Sequence, residues 1–316
     1  MKLRLGSRGS DLALAQVSLA EAILDTPTER KIVVTQGDAG NRKVVGAFVK
    51  DLQDSLLAGE FDVAVHSLKD LPTAPVAGLA IGAYLKRGDP RDAILSRKGN
   101  LAELPPDANM GTGSLRRQSQ IARLRPDLKF ENLEGNVDSR IKKLFSGQYD
   151  AIVLAVAGVD RLGFLTNHQL NKVFEDRFGL EQKLTWQPLD SHTVVPAPGQ
   201  GIIALEVRSD DENTSLAILD AEDRDAQATG TAERSFLHAL GGGCSVPIAA
   251  YAAVEGDTLR IFGRVSSVNG KDMLDGTAVG SASHADEVGQ HLAFMLIRQG
   301  AMDILAEVKN LYPDLW

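Results

Sequence analysis

Apolar residues along this chain alternate between short β-branched runs and longer stretches at helical spacing. Lys2–Gly6 predicts a strand, and Asp11–Leu24 predicts a helix with Leu12, Leu19 and Ile23 on one face and Ser10 as its N-cap. Lys31–Gln36 is β-branched and predicts a second strand. Phe48–Leu57 predicts a helix stopped by Gly59, and Phe61–Val65 a buried strand. This β-α-β-α-β order implies a parallel sheet flanked by helices.

The same rhythm then repeats. Asn109–Gly111 leads into a helix at Leu115–Leu124 that Pro126 ends, followed by a strand at Lys129–Leu133, a helix at Val137–Phe145 and an apolar strand at Ala151–Val156. The stretch between the two units, Lys86–Asp92 (KRGDPRD), is polar and turn-rich, as a hinge would be. Val194–Val207 predicts a strand too isolated to form its own unit, so it is expected to return to the first sheet. Beyond residue 212 the alternation breaks: a helix at Ala226–Leu240 precedes strands at Ile248–Val254 and Thr258–Val265 and one closing helix near Asp286–Leu311. The expected architecture is α/β. Two periplasmic-binding-protein-like parallel-sheet domains (1–86 with 194–208, and 91–190) enclose a cleft, and a smaller α+β domain follows at 212–316. Ligands of such folds sit at the C-terminal ends of the strands.

Composition narrows the function. At 316 residues, 43% hydrophobic and 24% charged, the chain matches a soluble protein of two or three domains. A net charge of -8 argues against nucleic acid but leaves room for a locally basic pocket. No run reaches the roughly 20 apolar residues that span a bilayer. Arg8 and Asp11 interrupt the start where a signal peptide needs an apolar stretch, so the expected location is the cytoplasm. The single cysteine, Cys244, excludes an internal disulfide, and the six scattered histidines offer no metal-ligand spacing.

Four features could carry chemistry. HSLKDLP at 66–72 follows a buried strand and sets Lys69 beside Asp70 at a strand end. The lysine could hold an anion and the carboxylate a developing cation, or Asp70 could simply organise a turn before Pro72. GTGSLRRQ at 111–118 opens a helix whose first turn carries Arg116 and Arg117 against the helix dipole, so something anionic should compensate them. Ser114 is the expected N-cap, and the alternative is an arginine pair on a solvated face. Arg8, Arg140 and Arg161 each lie near a strand end or helix start, as surface ion pairs or as cleft-lining guanidinium groups. Cys244 follows three glycines in LGGGCSVPI, a setting that favours a covalently used thiol over an inert core residue.

HSLKDLP, GDPRDAILS, GTGSLRRQSQIARLRPDL, GNVDSR, YDAIVLAVAGVDRLG, PAPGQG and GGGCSVPIAAYA occur in the order found in porphobilinogen deaminases, and the resemblance extends from Arg4 to the last helix. It implies a transferase that condenses four porphobilinogen molecules head to tail and releases linear hydroxymethylbilane for haem biosynthesis. A dipyrromethane primer joined by thioether to Cys244 would anchor the growing chain. The resemblance casts Asp70 as the catalytic carboxylate. Lys69, Thr112, Ser114, Arg116 and Arg117 would hold primer carboxylates, Arg8, Ser10 and Arg161 would contact substrate, and Arg140 would serve both. A monomer without nucleic-acid or membrane partners is the expected form. Three departures from the family pattern stand out: Glu134 where arginine usually precedes GNV, a short loop at Gly37–Phe48, and a long segment at Thr166–Thr193. The competing readings are an inactive or repurposed homologue and a bilobal module that binds an anionic ligand.

Overall fold

The structure, a computed structural model, describes residues 2–35, 49–179, 184–243 and 246–313. The short loop at 37–48 and Cys244 itself lie outside the described residues. The chain opens with β1 (Leu3–Arg8), α1 (Asp11–Ile23), β2 (Thr28–Val33), α2 (Lys50–Leu57), β3 (Val63–Ser67), a single 3-10 turn at Leu68–Asp70, and β4 (Leu79–Tyr84). It then crosses to β5 (Asp92–Ser96), β6 (Asn109–Gly111), α3 (Leu115–Leu124), β7 (Lys129–Glu131), α4 (Val137–Phe145), β8 (Ala151–Ala155) and α5 (Val156–Arg161). The long segment at Thr166–Thr193 contributes a small hairpin of β9 (Leu165–Thr166) and β10 (Gln169–Leu170), then α6 (Lys172–Phe178) and β11 (Thr185–Pro188). The chain returns through β12 (Ile203–Arg208) and α7 (Glu212–Ala217). It ends with α8 (Arg224–Ala239), β13 (Ile248–Glu255), β14 (Thr258–Ser266), β15 (Met273–Ser281), α9 (Ala285–Arg298) and α10 (Ala301–Leu311).

Besides the β9-β10 hairpin, three larger sheets organise the described elements. The first runs β2-β1-β3-β12-β4 and the second β11-β5-β8-β6-β7, and each is the floor of one lobe. The third, β13-β14-β15, packs against α8 and α9. The two lobe sheets are mixed, where the pattern predicted parallel ones. β1 pairs parallel with β2 and β3, and β6 with β7 and β8. The strands on either side of the crossings, β12 and β5, run antiparallel to their neighbours. The reason is topological: these strands enter their sheets from the opposite lobe rather than through a right-handed helical crossover.

Helical spacing misjudged α1. Its buried residues are Ala13, Gln16, Val17 and Ala20, while Leu19 and Ile23 are exposed. Small side chains let the helix lie close on the sheet. Leu12 instead reaches the other lobe, near Gly158 of α5. The single closing helix is two helices, because Gly300 adopts a left-handed φ of 101° that breaks the helical path.

The crossing at Lys86–Asp92 is more than a solvated hinge. It lies beside the returning chain, with Gly88 N–H donating to Gly201 O at 2.9 Å and Leu85 N–H to Ile203 O at 2.9 Å. A Cβ on Gly201 (φ 91°) would stand 2.7 Å from Gly88 O, so only glycine permits this contact. Glu233 of α8, fully buried, accepts from Arg87 Nη1 at 2.6 Å, Gly199 N at 2.6 Å and Ala252 N at 2.7 Å. The third lobe is thereby fixed to the paired crossings. It also grips α3: Ser119 and Ser266 hydroxyls meet at 2.8 Å, and Arg264 Nη1 donates to Gln120 Oε1 at 3.0 Å.

Candidate active site

The cleft is built from strand ends. β3 runs buried into the one-turn helix Leu68–Asp70, where Leu68 is fully buried, Lys69 partly so and Asp70 exposed. Arg234 of α8 holds the far side of this turn by donating to the carbonyls of Leu71 (3.1 Å) and Pro72 (2.7 Å). Asp70 shares a small cavity with Arg8, Ser10, Gln16, His66 and Ser67. Ser10 also caps α1, its Oγ accepting from Ala13 N. Beneath the cavity, His66 Nε2 lies 3.0 Å from Glu206 Oε2, and Gln53 donates to the other carboxylate oxygen at 2.8 Å.

On the opposite lobe, Ser114 caps α3 by accepting from Arg117 N, as the sequence predicted, and Thr112 Oγ1 accepts from Ser114 N. Arg116 and Arg117 are buried, so the solvated-face alternative fails. The anion that compensates them is Asp92, at the first position of β5. Arg117 donates to Asp92 Oδ1 through Nε (3.0 Å) and Nη2 (2.6 Å), and Arg116 Nη1 lies 2.8 Å from Oδ2. Burial alone would push Asp92 up, but the two arginines together hold its carboxyl well below the usual carboxylate range.

Gln200 joins the lobes. Its Nε2 donates to Asp92 Oδ1 at 3.0 Å, and its Oε1 accepts from Lys69 Nζ at 3.2 Å. Lys69 is therefore within electrostatic reach of Arg116, Arg117 and Asp92. Burial lowers its pKa to about 8, with the two arginines adding to the effect and Asp70 and Asp92 opposing it. Three cations thus surround one internal carboxylate, leaving a surplus of two positive charges in a desolvated site. Carboxylate ligands fit such a site. Arg161, whose pKa burial lowers to about 10, donates to Gly201 O and completes the seam.

The comparisons with known proteins fall on these same segments. A family model described as "Porphobilinogen deaminase, dipyromethane cofactor binding domain" matches residues 3–216, and one described as "Porphobilinogen deaminase, C-terminal domain" matches residues 228–298. The chain belongs to the porphobilinogen deaminase family. Among its deaminase relatives, one from Syntrophomonas wolfei is 42% identical over 98% of this chain and 99% of its own. Another, from Thermus thermophilus, is 42% identical over 96% of this chain and 98% of its own.

The fold of this deaminase family member therefore gathers Asp70, Arg8 and Ser10 at one cavity. It gathers Lys69, Arg116 and Arg117 around Asp92, with Thr112 and Ser114 at the same helix start. Arg140 Nε donates to Gly135 O, at the N-terminus of its own helix α4. Glu134 is exposed and its Oε1 accepts from Asn132, while Lys143 Nζ donates to the Glu134 carbonyl. Sequence reasoning missed Asp92 and Gln200. The available signals were a carboxylate opening an otherwise apolar strand (DAILS) and an amide set between two glycines in PAPGQG.

Proposed function

We propose that this chain carries out the porphobilinogen deaminase reaction with Asp70 as its catalytic carboxylate and Cys244 as the anchor of the dipyrromethane group. As a transferase of this family it acts on porphobilinogen, and we take the product to be linear hydroxymethylbilane. The observation that carries the assignment of residues is the surplus of positive charge around Asp92, directly beside an exposed carboxylate at a strand end. Each pyrrole brings acetate and propionate groups, and buried guanidinium groups bind such carboxylates strongly.

When bound, dipyrromethane supplies the nucleophilic pyrrole carbon on which the chain grows. Lys69, Arg116 and Arg117 neutralise carboxylates on the interior side of the cleft, with Thr112 and Ser114 at the anion-favouring start of α3. Arg8, Ser10 and Arg161 take the substrate side, and Arg140 borders both. Asp70 balances the positive charge that develops as ammonia leaves, and it can accept the proton released when the pyrrole regains aromaticity. The division into domains 1–86 with 194–208, 91–190 and 212–316, a monomeric state and a cytoplasmic location belong to the same proposal. Intact mass tests it: the purified protein should exceed its polypeptide mass by two pyrrole units, and Cys244→Ala should remove that increment. Finding the increment retained in Cys244→Ala would overturn the anchor.

A further inference from the structure

The long segment at Thr166–Thr193 carries a residue that reaches both lobes. Its helix α6 is seated on an aromatic cluster, with Phe174 and Phe178 against Phe164 at ring distances of 5.7 and 5.5 Å. From this platform Arg177 extends over the Phe164 ring, 5.8 Å from its centroid. Its Nε lies 2.7 Å from Asp138 Oδ1 in the first turn of α4, and its Nη2 2.5 Å from Asp11 Oδ2 in the first turn of α1. Asp138 is largely buried and belongs to the second lobe, whereas Asp11 belongs to the first. One guanidinium therefore ties the lobes together.

The tie sits where it can affect the reaction. Asp11 follows Ser10, the N-cap of α1, and Arg8 and Ser10 line the cavity that holds Asp70. Leu12, next to Asp11, also approaches Gly158 of α5, so the two lobes come close at this point as well. Asp138 lies two residues before Arg140. Fixing Asp11 against α4 fixes the substrate-side loop of one lobe relative to the candidate substrate arginines of the other.

We propose that Arg177 is a positioning residue for substrate binding, acting through Asp11 to hold the Arg8–Ser10 loop in register with the second lobe. It touches no reacting atom. The inference rests on the reading of Arg8 and Ser10 as substrate-side contacts. Because the pair is partly exposed, its influence on affinity is modest and sensitive to salt.

A double-mutant cycle on the full-length, primed enzyme tests it, using Arg177→Ala, Asp11→Asn and the double variant. Each single change should raise the KM for porphobilinogen about two- to five-fold at low ionic strength, with kcat within two-fold. The double variant should be no worse than the more affected single, because both remove one interaction. At about 0.5 M salt the differences should shrink toward none. An unchanged KM in either single variant, or effects that multiply in the double, would overturn the proposal. Absence of turnover or of the primer mass in the unmutated protein would instead sink the functional reading beneath it.

Discussion

Replacing Asp92 by asparagine keeps the shape of the site and removes the buried carboxylate that Arg116 and Arg117 share. In the native protein Asp92 Oδ1 accepts from Arg117 at 2.6 and 3.0 Å and from Gln200 at 3.0 Å, while Arg116 lies 2.8 Å from Oδ2. The local balance is three cations, Lys69, Arg116 and Arg117, less one carboxylate, or two surplus charges. Asp92→Asn makes it three. Breaking a buried pair by removing one partner costs about 3–5 kcal/mol, because the remaining charge stays desolvated and unpaired. At roughly 2–4 °C per kcal/mol, this amounts to a fall in Tm on the order of 10 °C. Asp127→Asn is the matched control. It deletes the same formal charge from an exposed pair with Arg125, worth about 0–1 kcal/mol. The assay is calorimetry of both variants in a Cys244→Ala background, which excludes a covalent contribution from that thiol. Added polycarboxylate should recover more stability in Asp92→Asn than in the control, since it supplies the missing negative charge. If Asp92→Asn lowers Tm no more than Asp127→Asn, the account of the cluster as a desolvated charge network is wrong.

Four further outcomes follow from the site. Asp70→Ala should abolish turnover with Tm within a few degrees of the parent, because the carboxylate is exposed and its proposed role is to balance charge only during reaction; activity within a few-fold of the parent, by product absorbance, would remove it from the mechanism. Lys69, lowered to about 8 from 10.5 by burial, is charged below pH 8, so loading of unprimed protein should slow as pH rises through about 8, and Lys69→Gln should flatten that limb. Because the folded protein sheds this proton before the unfolded chain does, the lysine's burial penalty should fade between about pH 8 and 10.5, raising its contribution to stability there. Glu134→Arg should change the KM for porphobilinogen less than two-fold, since the Glu134 carboxylate is exposed and accepts from Asn132; a several-fold gain in affinity at low salt would show that the carboxylate repels substrate.

How much of this was legible depends on how local the cause is. Ser10 and Ser114 could be read as N-caps because capping spans three residues, and the structure bears both out. The strain of two arginines at a helix start was equally local, and it called for an anion. Which anion was not readable. Asp92 lies 24 residues before Arg116 on a different strand, and nothing in residue spacing encodes that pairing. The error at α1 has the same origin. Periodicity marks apolar positions but not which side of the helix finds a partner, and here the small residues Ala13, Val17 and Ala20 win the sheet face over Leu19 and Ile23. The role of Arg177 is a further case, since it depends on two aspartates 166 and 39 residues away that only the folded chain brings together.

The paired crossings between the lobes have a mechanical consequence. Two strands that lie side by side and exchange hydrogen bonds at Gly88–Gly201 and Leu85–Ile203 form a ribbon. A single connecting strand is a swivel, free to rotate about its own backbone bonds. A ribbon bends across its flat face but resists torsion, because twisting it would shear the bonds that join its edges. Glu233, held at once to Arg87 and Gly199, pins both edges to the same buried carboxylate. Such a spine favours bending, one lobe opening from the other as a book does, over rotation of one lobe past the other. A growing chain of pyrroles would meet a cleft whose width changes while the two walls stay in alignment.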